Sequence, residues 1–140
     1  MNLQTAQERI AARVREIPAL AGLPVFEEQK GNIVENVQQG IAETSFCVVV
    51  GAMSFTDEAP DASICHGTAT VAVSVFEDPF VNRQTEGRPT FMAAAQEVAK
   101  ALKLFDTGEG LLTSPKIADA TDLGNGVVSV TVTLTTKTTL

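Results

Sequence analysis

The sequence predicts an α+β domain in which one sheet carries one principal helix. The stretch Thr90–Phe105 has apolar residues at three- and four-residue steps, which places them on one side of a helix. Three strand-like runs flank it in the sequence and supply a surface for its apolar side: Phe46–Phe55, Thr68–Glu77 and Val127–Thr136. The expected architecture is a single antiparallel or mixed sheet of about four strands. The principal helix spans about 90–105, and an N-terminal helix spans about 5–17.

Length and composition indicate one globular domain, residues 1–140. The hydrophobic fraction is 44% and the charged fraction 19%, which argues against disorder. A net charge of −7 disfavours binding to nucleic-acid phosphates and to anionic membranes. Seven Phe without Trp or Tyr provide little for base stacking. We therefore expect neither a membrane partner nor sequence-specific nucleic-acid binding, and the absence of an apolar leader favours a reduced cytosolic compartment.

The N-terminal helix is predicted from an apolar stripe at helical spacing. Thr5 and Glu8 have the form of a capping box, so the regular helix is expected to begin near Thr5. Pro18 ends it, because proline lacks a backbone donor and disfavours helix in the residue before it. A turn and a short extended piece are expected at Pro24–Glu27. The stripe consists of Leu3, Ala6, Ile10, Val14 and Ile17.

A second, shorter helix is predicted after Gly31. Its apolar residues step at helical intervals, and Asn32 with Glu35 three positions later could cap its first turn. Gly40 is expected to mark its end. The apolar residues are Ile33, Val34, Val37 and Ile41.

The strand-like runs differ in how they are buried. Phe46–Phe55 shows no alternation, which predicts burial on both faces, and Gly51 is a candidate bulge. Thr68–Glu77 alternates, with Val71, Val73 and Val75 on one face. These two strands are expected to pair antiparallel around an acidic loop.

The C-terminal third predicts a hairpin and a half-buried final strand. Asn125-Gly126 is a strong hairpin signal. The last strand has valines and a leucine on one face and serine and threonines on the other, which is typical of a half-buried antiparallel strand. Leu111, Leu112 and Ile117 predict a short edge strand interrupted by Pro115.

No convincing catalytic, cofactor or metal site emerges from the sequence. His66 stands beside Cys65, but adjacent residues of an extended segment point apart and cannot form a nucleophile pair. Cys47 does not complete a zinc-site spacing with them, although the two cysteines could pair across neighbouring strands. The acidic loop (Asp57, Glu58 and Asp61) lacks the ligand pattern of a calcium loop. The glycine-rich places do not fit a phosphate loop. Cys47, Met53 and Met92 are expected in the core.

The connection before the principal helix is the strongest functional signal. It reads EDPFVNRQTEGRP and contains Phe80 and Val81, which a purely solvated loop would not need. An apolar pair beside a cation is typical of an interface anchor. We therefore predict a subunit or partner contact at Phe80, Val81, Asn82 and Arg83. The doubly apolar strand and the Thr-rich final strand also favour self-association.

The order of elements resembles that of the tail-terminator and tail-completion (minor tail) proteins of long-tailed bacteriophages. The resemblance lies in GNIVENVQQGIAETSFCVVV and in VAVSVFEDPFVNRQTEGRPTFMAAAQEVAKAL, and it covers about Ile10 to Leu134. It implies a non-enzymatic subunit without cofactor that closes into a ring, commonly a hexamer, on the end of a tail tube. Such a ring stops tube polymerisation and presents a surface for joining the head. Its partners would be itself, tail-tube proteins and head-completion proteins.

Three hypotheses follow. The first is a phage or prophage virion-assembly protein of the tail-terminator type, located in the virion and, during assembly, in the bacterial cytoplasm. The second is a small-ligand-binding domain or enzyme in which residues 77–88 form a lid, with Arg83 and Arg88 binding an anion. The third is another head–tail joining or neck protein with the same architecture.

Overall fold

The computed structural model describes residues 1–108 and 110–140 of the chain. Within these residues a seven-stranded sheet carries four α-helices. The helices are α1 (Leu3–Arg15), α2 (Ile33–Thr44), α3 (Pro79–Asn82) and α4 (Phe91–Leu102). The strands are β1 (Val25–Glu27), β2 (Phe46–Val50), β3 (Ser54–Asp57), β4 (His66–Glu77), β5 (Thr113–Ile117), β6 (Thr121–Gly124) and β7 (Val127–Thr139). A 3₁₀ turn, Pro18–Leu20, follows α1.

Two long strands form the centre of the sheet. β4 and β7 pair antiparallel from His66 opposite Thr139 to Glu77 opposite Val128. The main order is β1-β2-β4-β7-β5, with β3 continuing beside β4 and β6 continuing beside β7. β1 and β2 form the parallel pair, and the other pairings are antiparallel. The sheet is therefore mixed.

One face of the sheet carries the main core. The odd-numbered valines of β4 and the even-numbered apolar residues of β7 point to this face, because side chains alternate along a strand. α4 packs across them, and α1 lies beside α4 over β1 and β2 and contacts it. The buried contacts are contributed by Ile10, Val14, Val71, Val73, Val75, Ala94, Ala95, Val98, Leu102, Val130, Val132 and Leu134.

The opposite face is only partly covered. α2 lies over β1 and β2, and a Cβ atom on Gly40 would lie 3.1 Å from both the Cys47 Cβ and the Phe26 ring. This close approach explains the glycine. The remaining part of the face, on β4 and β7, carries small polar residues that sit opposite one another, as in the Ser74–Thr131 pair, whose hydroxyls lie 3.0 Å apart.

The helix boundaries correct two expectations. α1 begins at Leu3, because the Asn2 side chain accepts a hydrogen bond from the Thr5 backbone and caps the helix one turn earlier than the predicted capping box. α2 does not end at Gly40. It continues to Thr44 and is terminated by Ser45, whose φ of 60° is left-handed. The Asn32 cap is confirmed.

The apolar run Phe46–Phe55 is two strands. β2 ends at Val50, the Gly51 amide bonds the Ala72 carbonyl, and the chain then resumes as β3 on the same edge of β4. All five residues of β2 are buried, which confirms burial on both faces, whereas β3 is mostly exposed. This split, β6 and the short β1 raise the strand number from about four to seven. The predicted edge strand is present as β5 and includes Pro115.

The principal helix is confirmed but shorter. Thr90 caps α4 by accepting a hydrogen bond from the Ala93 amide at 3.1 Å. The helix ends at Leu102, and Leu104 adopts a left-handed φ of 59°. Of the residues expected in the core, Cys47 is buried and Met53 packs against the core, but Met92 is exposed. The Phe91 ring, not Met92, lies over the core side of the first turn.

Candidate interaction surface

The loop between β4 and α4 presents two apolar side chains to solvent. Asp78 caps α3 by accepting a hydrogen bond from the Val81 amide at 3.3 Å, and Pro79 occupies the first helical position. This short turn leaves Phe80 81% exposed and Val81 44% exposed. We call these two residues the knob.

A buried carboxylate holds the base of the loop. Glu77 is fully buried at the end of β4, and its Oε2 accepts a hydrogen bond from Asn82 Nδ2 at 2.6 Å. Its Oε1 accepts a hydrogen bond from the Phe91 amide at 3.1 Å and lies 3.6 Å from an Arg83 guanidinium nitrogen. Hydrogen bonds to a buried charge are stronger than those in water. Glu77 therefore joins α3 to the start of α4.

Arg88 and Asn82 close the loop from the other side. Arg88 donates to the Thr44 carbonyl at 2.7 Å and to the Asn82 Oδ1 at 3.3 Å. The Asn82 amide also donates to the Pro89 carbonyl at 3.0 Å. These contacts tie the loop to the last turn of α2. The knob therefore stands on a preorganised support.

The four predicted contact residues divide into two pairs. Phe80 and Val81 are exposed, as an anchor for a partner requires. Asn82 is 1% exposed and serves the loop, whereas Arg83 is half-exposed and pairs with Glu77. Sequence reasoning missed Glu77, although one signal was present. Glu77 occupies the next position in the alternating series of Val71, Val73 and Val75, so the alternation places a charged residue on the buried face of the strand.

A groove runs along α2 on the partly covered face of the sheet. One half has a volume of about 390 Å³ and the other about 400 Å³, and both are lined by Val37, Gln38 and Phe76. Val34 borders the first half and Leu123 the second. Val34 is 62% exposed, so the apolar stripe of α2 is incompletely buried by its own chain.

The histidine and the two cysteines considered in the sequence analysis do not form a common site. His66 Nδ1 lies 2.7 Å from the Thr139 hydroxyl, and neighbouring Cys65 is an exposed free thiol. Cys47 is also a free thiol, and burial raises its pKa to about 12. Across residues 1–108 and 110–140, His, Cys, Asp and Glu form no group of three that could hold a metal ion.

The acidic loop is anchored to the far end of β7. Glu58 accepts hydrogen bonds from Lys137 Nζ at 2.6 Å and from the Thr68 hydroxyl at 2.7 Å. The bonds from Lys137 and Thr68 lower the pKa of Glu58. No helix in the described part of the chain has the length and apolarity needed to cross a membrane.

Comparison with known proteins gives a likeness to solved structures. Protein-family models do not match the chain, and neither do curated protein sequences. Among solved structures, the fold is similar to a chain of the structure titled "Virion of native gene transfer agent (GTA) particle". The TM-score is 0.59 at 17% sequence identity, over 96% of this chain and 94% of that chain. The likeness concerns the fold.

Proposed function

We propose that this chain is a phage-like virion structural protein of the tail-terminator type. Copies close into a ring of about six subunits on the end of a tail tube, stop its polymerisation and present a surface for head-completion proteins. The knob, displayed on a loop that a buried carboxylate holds in place, is the observation that carries this proposal. The fold shared with a chain of a virion particle supports it.

The polar groups of the loop favour an interaction role over catalysis. Glu77, Asn82 and Arg88 are engaged in contacts that shape the loop. An anion-binding lid would instead need Arg83 and Arg88 to point jointly into a cleft. A preorganised apolar anchor lowers the entropy lost on association, which suits a subunit contact. In this proposal no bond is made or broken.

The test is the assembly state of the purified protein. We expect light scattering to give a mass of about six subunits and electron microscopy of the same sample to show closed rings. The double variant Phe80→Asp, Val81→Asp should remain folded and lose the rings. Leu104→Asp is the matched control, because Leu104 is also an exposed apolar residue but lies after α4, in a left-handed conformation that Asp tolerates.

Two results would contradict the proposal. If the protein is a strict monomer at high concentration, both in isolation and in the presence of tail tubes, the proposed ring is wrong. If the double variant still forms rings, the proposed ring stands, but the knob is not part of the contact between its subunits.

The groove along α2 supports a second candidate function, the binding of a small apolar ligand. Its volume of about 390 Å³ in one half falls within the range of ligand sites. Stabilisation of the monomer against heat by a ligand would favour this candidate. A head–tail joining or neck protein is the third candidate, and partner identity separates it from a terminator.

A further inference from the structure

The residues of this chain that the structure describes leave the knob uncovered. Phe80 remains 81% exposed, although α3 is held by the Asp78 cap and the Glu77 carboxylate. An aromatic side chain buries about 150–250 Å² when it is fully covered, so a partner that covers Phe80 would remove a large apolar area from water.

The groove along α2 is also incompletely covered, and it is lined by apolar side chains. α2 presents an apolar stripe, but among its twelve residues only Gly40 is buried. Val34 remains open to solvent beside the half-buried Val37, and Phe76 forms part of the floor. The α2 residues that line the groove run from Ile33 to Ala42, about 14 Å along the helix axis, which exceeds the length of the one-turn α3. The groove is therefore long enough for the knob.

Charge also matches between the two surfaces. Arg83 follows the knob directly, and its side chain is half-exposed while it pairs with Glu77. Glu28 lines the groove, and the exposed Glu35 lies on the first turn of α2 beside it. A cation next to an apolar anchor and acids at the rim of an apolar groove give complementary surfaces.

We propose that the groove along α2 of one copy receives Phe80 and Val81 of a second copy, with Arg83 facing Glu28 and Glu35. The inference rests on the proposed ring and names the two surfaces that form its contact. Because donor and acceptor surfaces differ, each copy offers one knob and one groove, and the contact can propagate from subunit to subunit until it closes.

The test uses two single variants and their mixture. Phe80→Asp disables the knob and places an acid in the first turn of α3, where the helix dipole tolerates it. Val34→Asp disables the groove at a solvent-exposed position. Each variant alone should be monomeric, with the dissociation constant raised about tenfold or more. An equimolar mixture should form dimers and stop there, because one intact knob meets one intact groove. Leu104→Asp should assemble like the natural chain.

The outcomes separate this inference from the proposed function. If the natural chain forms rings and either single variant also forms them, the knob–groove contact is wrong and the ring stands. If the natural chain stops at a closed dimer that both variants lose, the contact stands and the ring is wrong. If the two variants fail to form dimers when mixed, the two surfaces do not meet each other. Circular dichroism of each variant shows that it is folded.

Discussion

Glu77 connects the sheet to the knob through three neighbours. Its carboxylate accepts bonds from Asn82 and the Phe91 amide and lies beside Arg83. Glu77→Gln keeps the shape but removes the charge and turns one acceptor into a donor that faces other donors. We expect a loss of about 1–3 kcal/mol in the free energy of unfolding, measured by urea denaturation.

The matched control is Glu97→Gln. Glu97 is a half-exposed residue of α4 that pairs with the exposed Lys100 at 3.5 Å, and such surface pairs contribute little. Its replacement should change stability by less than about 0.5 kcal/mol. Equal effects of the two substitutions would contradict the role given to Glu77.

The two thiols should differ in reactivity. Cys65 is exposed, whereas burial raises the pKa of Cys47 to about 12, so little of the reactive thiolate exists there at pH 8. A thiol reagent should therefore modify one cysteine per native chain and two after unfolding. Cys65→Ser should abolish the fast reaction. Rapid modification of both thiols in the native protein would show that the face beneath α2 is open to solvent.

Glu58 adds a pH-dependent contribution to stability. The hydrogen bonds from Lys137 and Thr68 lower its pKa below the ordinary value of 4.5. Stability from this group is therefore fully present above pH 4.5 and is lost as the pH falls through the lowered pKa. Glu58→Gln should reduce the melting temperature at pH 7, and the difference should vanish in strong acid. Asp61→Asn, on the same exposed loop, is the control and should leave the melting temperature at pH 7 unchanged.

At the scale of elements, Gly40 sets how closely α2 approaches the sheet. A Cβ atom there would lie 3.1 Å from Cys47 Cβ and from the Phe26 ring. Gly40→Val adds further atoms to this contact and should destabilise the protein by about 1–3 kcal/mol. Ala42→Val, on the exposed side of the same helix, should cost only a few tenths of a kcal/mol through helix propensity. Equal costs, measured by urea denaturation, would mean that α2 does not rest on the sheet at Gly40.

Periodicity predicted the elements whose burial is simple. α4 and the β4–β7 pair have one buried side each, so 3.6- and 2-residue spacings identify them. The break between β2 and β3 was marked in FCVVVGAMSF only by Gly51, because β2 is buried on both faces and has no period whose interruption would show where the mostly exposed β3 begins. The same limit hid the end of α2, since Gly40 serves tertiary packing, which local signals do not report.

The candidate site was predicted only in part, for a related reason. Composition singled out Phe80 and Val81, because apolar residues are unexpected in a solvated loop. Asn82 and Glu77 act through contacts formed when β4, α3 and α4 meet. Sequence spacing alone cannot show that meeting, and the acceptor groove likewise requires α2 and the sheet to be placed together.

For the whole molecule, the two faces of the sheet differ in how far helices cover them. α1 and α4 close one face, while the other has α2 at one side and hydroxyl-bearing residues across β4 and β7. The hydroxyl groups reduce the apolar area of this face away from the groove. In the proposed ring the knob and the groove supply the apolar contact, and the hydroxyl-bearing part of the face can remain wet.

The net charge of the molecule predicts whether the proposed ring binds double-stranded DNA. The net charge is −7, and within residues 1–108 and 110–140 eight of the ten Lys and Arg residues contact carboxylates or backbone carbonyls. Protein–phosphate attraction is greatest at low salt, because little screening opposes it. We expect no change in the gel mobility of double-stranded DNA at about 10 mM salt, whereas a basic DNA-binding protein used as a control should retard it. Retardation that disappears at higher salt would reveal a cationic surface and would contradict this prediction.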